Sequence, residues 1–193
     1  MPLKLVTPPG LEPLTYDDVV NHSRIDASES DVLISRLILT ARRHVERISN
    51  LALLTQTWEL WLDAFPSDSE IELNRSPLQS VTHVKYYNDL DAESTLAASA
   101  YFVDAISEPG RIVLKSGQTW PGATLRAANS VVIKFVAGWT QLNDVPATIQ
   151  QALLLLVGHW YENREAASLG AVSREIEFSV QALLRNERVF KFV

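Results

Sequence analysis

The chain has 193 residues, 47% of them hydrophobic and 21% charged, with a net charge of −6 and no cysteine. These proportions fit a globular protein with one well-buried core, or a core and a smaller appended unit, and argue against wholesale disorder. The acid excess argues against a protein that grips nucleic acid through its overall field, and the lack of cysteine excludes disulfides, thiolate nucleophiles and cysteine-ligated zinc.

Residues 1–14 read as an extended arm, with three prolines by position 9. The arm has no long apolar run of the signal-peptide kind, and Ala152–Val157, the most apolar run, is far too short to span a bilayer, so a soluble, cytosolic product with no membrane partner is expected. Thr15 and Asp18 form a capping-box pattern that opens a short helix, and "SESD" at 28–31 repeats it ahead of a longer one. In the longer helix Ile34, Leu37, Ile38, Ala41, Val45 and Ile48 fall at steps of three and four, which predicts one buried stripe. Arg36, Arg42, Arg43 and Arg47 lie off that stripe and predict a basic face.

The period then changes. "LTQTWELWL" (54–62) alternates as a strand does, with Leu54, Trp58, Leu60 and Leu62 on one side. "VTHVKYY" (81–87), "RIVLK" (111–115) and "VVIKFVA" (131–137) are further β-rich segments, separated by proline- and glycine-bearing turns such as "EPG" and "WPG". Several short strands close in sequence predict a small antiparallel sheet. Helix returns after Asp144, a predicted N-cap, with Pro146 in the first turn and Ile149, Ala152, Leu153, Leu156, Val157 and Trp160 as the buried stripe. Gly170 breaks that pattern, "REIEFSVQALLR" (174–185) predicts a last helix, and "NERVFKFV" (186–193) forms an apolar and basic tail. The expected class is α+β: a helical core of two N-terminal and two C-terminal helices around a central antiparallel β-rich insertion.

Catalytic chemistry needs converging groups, and the polar clusters lack them. His159 and Glu162 share a helix face with Arg164 nearby, but the order His-x-x-Glu reverses the Glu-x-x-His of di-metal bundles, and His44 and Glu46, two apart on a helix, point in different directions. There is no G-x-S-x-G elbow, Walker loop or G-x-G-x-x-G, and Asp17/Asp18 and Asp89/Asp91 read as capping or turn acids. No catalytic residue, metal ligand or cofactor is therefore assigned. What remains are contact candidates. Arg36, Arg42, Arg43 and Arg47, with Glu162 and Arg164, suit a subunit interface, since arginine pairs bidentately with carboxylates such as those of Asp89, Asp91 and Glu93. Trp120, in the turn "TWPG", is a loop contact if exposed. The tail residues Arg188, Val189, Phe190, Lys191, Phe192 and Val193 alternate either as an edge strand or as an arm reaching another protein.

These segments, from "LTYDDVVNHSRID" through "ESDVLISRLILTARRHVERISNLALLTQTWEL", "LNRSPLQSVTHVKYYND" and "VVIKFVAGW" to "VPATIQQALLLLVGHWYENRE", together resemble the head–tail connector (adaptor, or head-completion) proteins of long-tailed bacteriophages, prophages and gene transfer agents. The resemblance covers most of the chain; where the family pattern carries a proline near the start of the last helix, this chain reads "REIEFSVQ". It implies a connector domain over residues 15–185, with helices at about 15–50 and 144–185 and the β insertion at about 54–140, flanked by the N-terminal arm and by a C-terminal arm at 186–193. It also implies a non-catalytic virion part made in the bacterial cytoplasm: a ring, expected to be dodecameric, that extends the DNA channel below the portal. The implied partners are the chain itself, the portal protein, engaged by the C-terminal arm, and stopper or tail proteins, while DNA passes without sequence-specific binding. The alternatives are another neck component (stopper or tail-completion protein) or a small cytosolic enzyme using His159 and Glu162.

Overall fold

The computed structural model describes residues 2–25, 31–163 and 172–189, residues 172–177 by backbone alone. In chain order the elements are β1 (Leu3–Thr7), α1 (Tyr16–Ser23), α2 (Asp31–Ser49), β2 (Gln56–Leu62), β3 (Glu70–Leu73), β4 (Leu78–Tyr87), β5 (Glu93–Thr95), β6 (Tyr101–Asp104), β7 (Gly110–Leu114), β8 (Val131–Ala137), α3 (Ala147–Glu162) and α4 (Val172–Leu184). The class is α+β, as the change of hydrophobic period predicts. Two compact units emerge: a β unit of residues 2–9 and 55–138, and a helical unit of residues 10–54 and 139–189.

In the β unit a five-stranded antiparallel sheet runs β1-β2-β8-β4-β5, and a three-stranded antiparallel sheet runs β3-β7-β6. Alternation along β2 buries every second residue, and register carries the pattern across the sheet. Leu3, Leu60, Ile133 and Val84 stand in one row, and Leu5, Trp58, Phe135 and Val81 in the next. The opposite face carries Lys4, Glu59, Lys134 and His83 as a polar row. Burial, then the charges of Lys85 and Lys134, pushes the His83 imidazole below its ordinary value. Central β8 is buried at Val131, Val132, Ile133, Phe135 and Ala137, which suits its β-branched composition. Gly110 of β7 meets Leu78 of β4 so closely that a Cβ there would lie 2.5 Å from the Leu78 Cβ, so only glycine fits.

The arm predicted over residues 1–14 divides between the units: its first part is β1, the edge strand paired with β2, and its last part lies in the helical unit. β3, β5 and β6 escaped the sequence reading because they are only three or four residues long. The 3-10 turn Leu142–Asp144 displaces the predicted cap of α3: Asp144 lies ahead of the helix, Pro146 holds the N-cap position, and no side chain caps it. Instead the Gln150 amide donates to the Val145 carbonyl at 3.0 Å.

The helical unit packs the predicted stripes together: Ile34, Ile38, Ala41 and Val45 from α2, and Ile149, Ala152, Leu153, Leu156 and Val157 from α3. Val19 of α1 and Val180 and Leu184 of α4 complete the core. The capping box at Thr15 and Asp18 forms, with both reciprocal bonds present. Within this apolar packing sits a buried ion pair, Arg42 with Glu46. Arg42 is only 2% exposed, donates through Nε to Glu12 at 2.6 Å and through Nη1 to Glu46 at 2.9 Å, and is not part of an exposed basic face. The Glu46 Oε1 accepts the Leu53 amide at 3.0 Å, so one carboxylate binds both the helix and the chain leaving it. Burial alone would lower the Arg42 pKa, and the bond to Glu12 with the charges of Glu46 and Glu12 raises it above its ordinary value instead.

Breaking a buried pair from one side strands the partner charge. Arg42→Ala is expected to lower the unfolding free energy by about 3 kcal/mol, the low end for such losses because Glu12 keeps some solvent. Arg43→Ala, on the exposed side of α2, is expected to change it by no more than about 0.5 kcal/mol. Urea melts of the two variants measure the difference.

Candidate interaction surfaces

The polar cluster at the end of α3 caps a helix. Asn163 returns its side-chain amide to the His159 carbonyl at 3.0 Å and to His159 Nδ1 at 3.1 Å, and its own backbone amide also bonds that carbonyl at 2.9 Å. His159 is thus held by its i+4 neighbour, as expected where α-helical carbonyls lose their partners. Glu162 is exposed, and Arg164 lies outside the described residues. Among the described residues no group of three or more His, Cys, Asp or Glu side chains is arranged to hold a metal ion. His44 packs edge-on against Trp160, with ring centroids 6.0 Å apart.

Of the four arginines predicted on the basic face, the structure keeps three on the surface. Arg36, Arg43 and Arg47 are exposed and share a line along α2, since steps of seven and four residues bring a helix back to nearly the same direction. Arg42 departs from that line by one helical step, which is enough to turn it into the core. Trp120 is half-buried: its indole stacks on Phe65 with centroids 5.1 Å apart, and its Nε1 donates to the Asp68 carbonyl at 2.7 Å. Rather than projecting freely, it holds the 120s loop against the segment following β2.

The tail begins anchored. Val189 is buried in the helical unit, its amide donates to the Ser49 carbonyl at 3.1 Å, and the Asn50 side-chain amide donates to the Val189 carbonyl at 3.2 Å. Arg188 is half-buried. Phe190, Lys191, Phe192 and Val193 lie outside the described residues. Val189 therefore belongs to the fold of its own chain, where the alternation of "RVFKFV" suggested an arm from Arg188 onward.

Two of the three acids predicted to face the arginines have partners nearer by. Glu93 accepts from Lys85 Nζ at 2.6 Å and from the Tyr87 hydroxyl at 2.8 Å, and these two bonds hold its carboxyl below the usual range. Asp91 pairs with Arg126 at 3.2 Å, and that guanidinium also lies over the Tyr87 ring, 4.2 Å from its centroid. A different acidic surface lies elsewhere in the β unit. There a cleft of about 550 Å³ is lined by Pro2, Trp61, Pro66 and Ile71 together with Asp63, Asp68, Glu70 and Glu72.

The turn between β6 and β7 is held together by one carboxylate. Asp104 accepts from the Ser107 hydroxyl (2.7 Å), the Ser107 amide (3.0 Å), the Ile106 amide (3.1 Å) and Arg111 Nε (3.0 Å). Ile106, 95% exposed, rides on this fixed turn. The Ser107 bonds, followed by those of Arg111 and Ile106, hold the Asp104 carboxyl well below the usual carboxylate range. A carboxylate depressed in the folded chain stabilises it above the unfolded value and stops doing so as pH falls below that value. Acid unfolding of Asp104→Asn is accordingly expected to show a flatter loss of stability below about pH 4 than the parent chain. Parallel acid limbs in denaturant melts would show that the turn does not depend on the charge.

No curated protein matches the chain. Among solved structures it is similar to a chain in the neck of an empty GTA particle computed with C6 symmetry, GTA being a gene transfer agent, with TM-score 0.82, 23% identity and coverage of 100% of this chain and 98% of that one. A chain in the virion of a native gene transfer agent particle gives TM-score 0.81 and 21% identity over the same shares. A chain from the neck of the native GTA particle computed with C12 symmetry gives 0.76 and 24%, again over 100% and 98%. The family model described as "Head completion protein" matches residues 12–180, which take in both units and all four helices, at least in part. The chain belongs to the head completion protein family.

Proposed function

We propose that the chain is a head–tail connector subunit, a structural part of the neck of a phage or phage-like particle that assembles as a ring, extends the DNA channel and joins the capsid to stopper and tail proteins. The observation that carries this reading is family membership over residues 12–180, taken with a fold shared from end to end with chains of gene transfer agent particles. The neck structures computed with C6 and C12 symmetry support a closed cyclic assembly, for which we infer twelve copies. A net charge of −6 per copy suits a channel through which DNA slides, because an acidic surface repels phosphate where a basic one would retain it. A role without catalysis is supported by His159, whose ring is engaged by the Asn163 cap. No helix among the described residues is long and apolar enough to cross a membrane.

Electron microscopy of particles carrying this chain is expected to show it as one ring directly below the portal. Density at a lower axial level would make it a stopper or tail-completion protein instead.

Residues 190–193 are the candidate portal arm, beginning just beyond the Val189 anchor. Deleting those four residues is expected to leave the melting temperature unchanged and to abolish attachment to the portal in a pull-down. Undiminished attachment would remove the arm from the proposal. A cut before Arg188 is a poorer test, because it also removes Val189 from the helical core.

A further inference from the structure

Once intrachain pairs are set aside, two surfaces of opposite sign remain. Arg36, Arg43 and Arg47 run along one exposed line of α2 over about 16 Å, and among the described residues no acid pairs with any of them. Val32, also exposed, extends the line by one turn toward the helix N-terminus. In the β unit, four carboxylates line the cleft beside Trp61 and Pro66, and no lysine or arginine lines it. Only Glu70 has an ion-pair partner among the described residues, Arg111 at 3.0 Å.

We infer that the arginine line of one copy docks on the acidic cleft of the next copy and forms the repeating contact of the ring; this rests on the ring reading above. The occupant is argued from charge and from symmetry. A carboxylate-lined cleft repels nucleic acid, while planar guanidiniums match carboxylates bidentately and are enriched at interfaces. A closed ring needs two different faces of one chain to meet, and these two are different faces with complementary charge. The apolar cleft wall at Trp61 and Pro66 gives the contact area that ion pairs alone lack, with Val32 as its apolar counterpart. Of the acids suggested by the sequence, Asp89, Asp91 and Glu93, the last two are already engaged by Arg126 and Lys85.

The chain has no cysteine, so an introduced pair reports the contact directly. The full-length chain carrying both Arg43→Cys and Asp68→Cys, oxidised at high protein concentration and low salt, is expected to give a ladder of disulfide-linked species extending beyond dimer on non-reducing gels. Each single variant should stop at dimer, because one thiol per chain cannot propagate a head-to-tail linkage. Adding Asp63→Lys and Glu72→Lys to the paired variant is expected to remove the ladder, as is high salt before oxidation. The parent chain treated in parallel with a non-selective amine cross-linker reports assembly however it forms. Amine-linked oligomers without a disulfide ladder would overturn this pairing and leave the ring reading intact. No oligomers by either route would overturn both. A ladder that survives the two lysine substitutions would also sink the inference, since charge would then not direct the contact.

Discussion

The helical unit depends on a charge that has no business in an apolar core unless it is held on every side. Arg42 enters the core one helical step away from its exposed neighbour Arg43, and two carboxylates meet it. Glu12 comes from the segment before α1, and Glu46 lies one turn further along α2. Because Glu46 also receives the Leu53 amide, the same four groups bind the chain's entry, its longest helix and the strand-ward exit. A hydrophobic residue at position 42 would fix none of these partners, and removing one side of the pair would leave the other charge buried alone.

The β unit achieves definition differently. Its rows are apolar on one face and polar on the other, so a slip of one residue would bury Lys4, Glu59 and Lys134 together. The contact between Gly110 and Leu78 then brings β7 against β4 with no room for a side chain between them. Charges left over from this construction are therefore surface charges. Among them are the four carboxylates of the cleft beside Trp61.

Long periodic segments were legible in the sequence and short or non-local features were not. The stripe from Ile34 to Val45, the alternation around Trp58 and the run "VVIKFVA" each repeat their signal often enough to specify an element. β3, β5 and β6 contain three or four residues apiece, too few for any period to show. Arg42 was misread because its position off the apolar stripe implies solvent only if no acid waits there, and Glu12 lies thirty residues away in sequence. The partners of Trp120, Phe65 and Asp68, are likewise remote in the chain. At the His159 cluster the structure adds Asn163, the next residue after Glu162, whose side-chain amide lies 3.1 Å from the His159 ring nitrogen. Sequence spacing had assigned Asp89, Asp91 and Glu93 to the arginines, whereas only the folded chain reveals that Lys85 and Arg126 reach two of them first.

The clasp between Val189 and the end of α2 has a mechanical consequence. Asn50, in the left-handed conformation that ends the helix, grips the Val189 carbonyl while the Ser49 carbonyl takes its amide. Any tension applied through residue 190 must therefore enter the fold at the C-terminal turn of α2, loading two hydrogen bonds and one buried valine at the same point. α2 also bears Arg42, so the strain would travel along a helix pinned near its middle by charges it cannot easily leave. Load entering at Val189 would thus pass to the helix that the buried ion pair holds in place.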